Sequence, residues 1–146
     1  SFKTTNIKSM ISMFENCVSL ESLDLVSFNT SNVENMSFMF RNCSSLKKIN
    51  LSLFETDKVR DISYMFMDFS SLISIDLSSF NTTKVENMSH IFESCSSLQS
   101  VNISSFKTNE STNVWNMFEA CSSLKKENVK MDANDNNILN ELSYLK

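Results

Sequence analysis

Apolar and polar positions along the chain follow two alternating patterns. Over residues 48–52, Ile49 and Leu51 alternate with polar neighbours, the period-two signature of a strand with one buried face. Over residues 33–43, Val33, Met36, Phe40 and Cys43 fall three or four residues apart, which predicts a short helix with one apolar stripe. Ser31-x-x-Glu34 and Thr83-x-x-Glu86 precede such stripes and read as capping boxes, with Asp57 and Asn109 as caps lacking the glutamate. The predicted order is strand, turn, short helix, turn, with the serine pairs at 44–45, 70–71, 96–97 and 122–123 placed where turns are needed.

That unit recurs every 26 residues without an insertion: the apolar residue opening each strand is Leu23, Ile49, Ile75 and Val101. One column holds Phe2, Phe28, Phe54, Phe80 and Phe106; another holds Phe14, Phe40, Phe66, Phe92 and Phe118. Leucine occupies 20, 46, 72, 98 and 124, while Met10, Met36, Ile62, Met88 and Val114 form a further apolar column. Exchanges within a column trade one apolar residue for another, as expected when each rung packs on its neighbours. Ser111, where Val33, Val59 and Val85 predict an apolar residue, is the exception. A unit this short cannot bury both stripes alone, so the repeats must stack. The expected fold class is α/β: a right-handed solenoid of 26-residue coils, with a parallel sheet on one face and short helices on the other. Five coils, the first partial, and a decayed sixth from Glu127 fill residues 1–131. Residues 132–146 read as a polar loop and a capping helix with Ile138, Leu139, Leu142 and Leu145 on its apolar face.

Composition narrows the chemistry. The 146 residues include no Gly, which excludes P-loops, dinucleotide-binding turns and nucleophile elbows, and a single histidine, His90, which excludes histidine triads and multi-histidine metal sites. No enzyme motif remains and no cofactor is implied. A formal net charge of −4 offers no basic field for nucleic acid, and no apolar run is long enough to form a transmembrane segment.

The run Met39-Phe40-Arg41-Asn42-Cys43-Ser44-Ser45-Leu46-Lys47-Lys48-Ile49-Asn50-Leu51-Ser52-Leu53-Phe54, followed by Thr-x-x-Val-x-x-Met, resembles the BspA-type leucine-rich repeat in its DUF285 variant, and the resemblance covers residues 2–126. It implies a leucine-rich-repeat solenoid without catalytic residues, in most members part of a cell-surface or secreted adhesion protein of bacteria or protists. The chain opens mid-repeat and lacks the usual glycine after the helix, and is expected to be a piece of something longer. The function expected is a non-enzymatic protein-interaction or adhesion module, with a protein or host-surface ligand as partner; a structural spacer or intracellular scaffold is the alternative.

Candidate binding residues fall on two faces. On the predicted helices, Phe38, Tyr64 and His90 occupy one outward position in consecutive repeats, with Met67 near Tyr64, and would form a ridge for a protein partner or a sister copy unless neighbouring helices cover them. On the strands, Asp24, Asn50, Asp76 and Asn102 lead a small polar concave face, which can equally be a solvated sheet surface. Trp115, at the flank of the stripe, reads as packing. Cys17, Cys43, Cys95 and Cys121 share one column in which position 69 holds Phe, so they read as small buried hydrophobes, with disulfides or a metal as the less favoured readings. Asn-x-Ser/Thr triplets at Asn29, Asn35, Asn42, Asn50, Asn81, Asn87, Asn102 and Asn109 read as repeat composition, with glycosylation left open.

Overall fold

In the computed structural model, residues 4–145 are described; Phe2 lies outside them. Successive repeats lie side by side, and bridges join Ser9 to Asn35, Asn35 to Asp61, Asp61 to Asn87 and Asn87 to Asn113, all parallel and all in the sequence period. The phenyl column follows from this register: rings 14, 40, 66, 92 and 118 stack at centroid separations of 5.5, 5.8, 5.7 and 5.6 Å, tilted by 9° or less. Around them, Val33, Met36, Met39, Cys43 and Leu46 and their counterparts in the next two repeats are sealed from water. Ser111 is exposed, as a polar residue in an apolar column must be.

Within the described residues of the repeats the predicted helices are absent; only the one expected in residues 132–146 forms. Among the described residues the chain forms one α-helix, α1 (Asn136–Glu141), and two 3-10 turns, Lys126–Asn128 and Leu142–Tyr144. Where the stripe predicts helices, each repeat instead runs through overlapping β-turns. In the second repeat Met39, Arg41 and Cys43 donate their amides to carbonyls three residues back. The intervening amides of Met36, Phe38, Phe40 and Asn42 donate across to Asp61, Ser63, Met65 and Met67 of the next repeat, at 2.9–3.0 Å. Every fourth residue of the row is left-handed: Phe38 and Asn42, Tyr64 and Asp68, His90 and Ser94, with φ between 58° and 60° except for Asn42 at 56°. A helix cannot contain such residues, and a turn row with a four-residue repeat produces the same three- and four-residue apolar spacing.

The capping boxes are corrected with the helices. Ser31 and Thr83 donate both amide and hydroxyl to the side-chain carbonyls of Asn29 and Asn81, forming side-chain-closed turns instead of caps. Asp57 accepts from the Asn81 side chain and Asn109 from the Ser111 amide.

Strands form over only part of the expected sheet. β1 (Ser74–Asp76), β2 (Ser100–Asn102) and β3 (Val129–Lys130) make a parallel sheet in that order. Residues 23–25 and 49–51 are not strand; their repeats are joined instead at the turn rows and by threonines described below. Val101 pairs with Val129, two residues beyond its 26-residue counterpart Glu127, because the 3-10 turn Lys126–Asn128 intervenes. The expected start of the sixth repeat is therefore displaced.

Buried threonines supply a second inter-repeat ladder. The hydroxyl of Thr30 donates to the Glu55 carbonyl at 2.9 Å and accepts the Glu55 amide at 2.8 Å; Thr56 does the same with Asn81, and Thr82 with Lys107. At the fifth repeat Asp135 takes over, accepting the Thr108 amide and hydroxyl at 3.0 and 2.7 Å while it caps α1 through the Ile138 amide. Ile138 and Leu142 are buried in the same apolar cluster as the repeats. No helix among the described residues is long and apolar enough to cross a membrane.

Candidate functional site

The left-handed position of the turn row decides where the aromatic residues go. Side chains at Phe38, Tyr64 and His90 leave the row one above the other and stack in parallel, with centroids 4.6 and 4.5 Å apart. Phe38 and Tyr64 are half-buried, with their faces toward each other and their edges left to solvent, whereas His90, expected to point outward, is buried, 9% exposed, between the Tyr64 and Trp115 rings. Trp115 closes the column edge-on against His90 at 5.1 Å while staying 63% exposed. Periodicity does not reveal Trp115 as a member, because its counterpart in the preceding repeat is Ser89 and not His90. Met67, half-buried, belongs to the same turn row; its backbone joins Asn42 to Tyr64.

Charged groups flank the rings. The Arg41 guanidinium lies over the Phe38 ring at 5.8 Å and approaches Glu15 at 3.4 Å and Asp68 at 3.8 Å. His90 Nδ1 is paired with Glu93. Glu141, from the end of α1, accepts the Met117 amide at 3.1 Å, and its burial raises its pKa above the ordinary carboxylate range despite that bond.

The concave candidates behave differently. Asp24 accepts the Val26 amide, Asn50 the Ser52 amide, Asp76 the Ser78 amide and Asn102 the Ser104 amide, at 3.0, 3.1, 2.9 and 3.3 Å. The Ser78 hydroxyl and amide hold the Asp76 carboxyl below its usual range. Each of these side chains thus closes its own turn, which explains why Asp and Asn alternate freely in the column: only the acceptor oxygen matters.

The same geometry accounts for most Asn-x-Ser/Thr triplets. Asn29, Asn35, Asn81 and Asn87 each accept from both the amide and the hydroxyl two residues on, and Asp61 replaces Asn in that role with Ser63. Asn42 instead donates to Asn16 of the previous repeat.

All four cysteines are free thiols. Cys43, Cys95 and Cys121 donate Sγ–H to the carbonyls of Phe14, Phe66 and Phe92 in the preceding repeat, at 3.2, 3.0 and 3.0 Å. Burial pushes Cys43 up to about 11 and Cys121 up to about 12, and raises Cys95 as well, so these thiols are poor nucleophiles. Among the described residues no group of three or more His, Cys, Asp or Glu side chains could hold a metal ion.

The family described as "Mycoplasma protein of unknown function, DUF285" matches residues 1–72 and again residues 48–143. No curated protein matches the chain. A solved leucine rich cell surface protein from Faecalibacterium prausnitzii A2-165 is 20% identical, with a TM-score of 0.45 over 77% of this chain and 27% of its own length. The leucine rich repeat protein of T. pallidum is 16% identical, with a TM-score of 0.48 over 93% of this chain and 76% of its own. The chain thus spans about a quarter of the Faecalibacterium protein, 27% of it.

Proposed function

The chain belongs to the DUF285 family, and from that premise we propose that it is a stretch of right-handed solenoid, built of 26-residue coils over residues 1–131 and capped by residues 132–146. Its role is that of a non-enzymatic protein-interaction or adhesion module within a larger cell-surface protein. The observation that carries the reading is the aromatic column on left-handed backbone. A left-handed residue other than Gly costs roughly 1–2 kcal/mol, least for Asn and Asp. Ser12 and Asn116 occupy this position at the two ends of the same column, whereas Phe38, Tyr64 and His90 fill its middle. Aromatic residues are held there against backbone preference, and strain of that kind collects where a surface is used.

Stacked rings with outward edges, an exposed Trp115 and a flanking Arg41 are the residue types that anchor protein interfaces. The concave side chains Asp24, Asn50, Asp76 and Asn102 have acceptors already engaged by their own turns and are the weaker candidates. Placement at the cell surface rests on the resemblance of the repeat motif to BspA-type surface proteins, and the partner is a protein or host-surface ligand.

Capture of ligand from intact cells tests this. Phe38→Ser with Tyr64→Ser should weaken capture more than Asp24→Ala with Asp76→Ala. Equal or reversed losses reject the aromatic column as the binding surface. An unmodified chain that captures nothing favours the spacer or intracellular scaffold.

A further inference from the structure

The aromatic column leaves one ring face open to a cation. Cations bind the faces of aromatic rings, where the quadrupole is negative, and an indole attracts them best. Within the column the faces of Phe38, Tyr64 and His90 are turned to one another, and the Arg41 guanidinium already lies over Phe38 at 5.8 Å. Trp115 is different. Its ring stands at 78° to His90, across the direction of the stack, and the residue is 63% exposed, so an indole face is open to water. Among the described residues no lysine or arginine lies over it.

The charges beside the column favour a cation at that end. Glu15, Arg41, Met67, Glu93 and Glu119 hold one position in successive repeats. Arg41, the single cation of this row, is taken up between Glu15 at 3.4 Å and Asp68 at 3.8 Å. Glu93 is paired with His90, and Glu141 accepts the Asn116 and Met117 amides. Glu119 is exposed, and its carboxylate has no hydrogen-bond or ion-pair partner among the described residues. Burial is the main cause that raises the Glu141 pKa, and the Glu119 charge adds to it, so the two carboxyls lie within electrostatic reach of each other. The Trp115 end of the column thus joins an open indole face to an uncompensated carboxylate.

On the premise that the aromatic column is the binding surface, we propose that its Trp115 end receives a lysine or arginine side chain from a basic segment of a protein partner, with the cation on the indole face and Glu119 as its counter-ion. An acidic segment would meet Glu93 and Glu119 as like charges, and a purely apolar one would bury Glu119 without a partner; both contacts are unfavourable.

Trp115 is the one tryptophan of the chain, so its fluorescence reports this site directly. Titration of the full chain with a hexa-arginine peptide should change Trp115 emission, and the effect should fade as salt is raised. Hexa-glutamate should leave the emission unchanged. Glu119→Lys should weaken hexa-arginine binding by about tenfold, whereas Glu21→Lys, the same change of net charge at an exposed residue outside the turn rows, should alter it by less than about twofold. Emission that hexa-arginine leaves unchanged overturns the proposal, as do equal losses in the two variants. Ligand capture from intact cells then separates the basic partner from the column itself. Losses with Glu119→Lys as well as with Phe38→Ser plus Tyr64→Ser support the basic segment. A loss with the ring substitutions alone leaves the column as a binding surface and overturns the basic partner; capture that neither change alters overturns both.

Discussion

At the scale of the residue, the unusual choice is to build left-handed turns in a chain without glycine. Among the described residues ten take positive φ, and the second position of each row uses Asn16, Asn42, Asp68, Ser94 and Ala120, whose side chains are small. The first position holds rings in its three middle repeats, Phe38, Tyr64 and His90, which makes Tyr64 a test of what those rings are for. Tyr64→Asn relieves roughly 1–2 kcal/mol of backbone preference and removes two ring contacts worth about 0.5–1.5 kcal/mol each, so the terms largely offset and stability by urea denaturation should fall by no more than ~2 kcal/mol. Ligand capture should fall nonetheless. A loss of stability beyond ~2 kcal/mol would mean that the column serves the fold more than a partner.

At the scale of the element, threonine carries more of the structure than its polarity announces. Thr56 is buried and its hydroxyl serves both the amide and the carbonyl of Asn81. Thr56→Val keeps the shape and strands both groups, which should cost about 1–3 kcal/mol in a denaturation curve. Thr56→Ser, which keeps the hydroxyl, should recover most of it; equal losses in the two variants would trace the effect to packing alone. This ladder was not read from the sequence: Thr30, Thr56, Thr82 and Thr108 recur at the 26-residue period, but a hydroxyl in a turn carries no mark of which repeat it bonds. The apolar columns were legible, since stacked rungs must repeat their chemistry: the phenylalanines from 14 to 118 and the leucines from 46 to 124 lie where the period puts them. The secondary structure between them was not. Val33, Met36, Phe40 and Cys43 have the spacing of a helix stripe, and a turn row of four-residue period produces it equally. Glycine would have marked the left-handed residues, and there is none. Of the candidate site, the alignment of Phe38, Tyr64 and His90 was readable from register, whereas Trp115 was missed because it sits one residue out of that register. The engagement of Asp24, Asn50, Asp76 and Asn102 in their own turns was missed because an acceptor two residues before a Ser looks like an exposed polar group.

At the scale of the whole molecule, one direction dominates the turn rows: the amides of Met36, Phe38, Phe40 and Asn42 and of their counterparts in the next two repeats donate forward, while those of Glu34, Arg60, Glu86 and Asn113 donate back to the repeat before. The polarity of the stack, the covering of its last repeat by Asp135 and Glu141, and the alignment of the aromatic column all follow from that direction. Through-hydrogen-bond NMR couplings measure it without intermediaries. The amides of Phe40, Phe66 and Phe92 should couple to the carbonyl carbons of Met65, Ile91 and Met117 in the following repeat. Couplings instead to Met36, Ile62 and Met88, four residues back along the same repeat, would restore the helices and contradict the stacked-turn account.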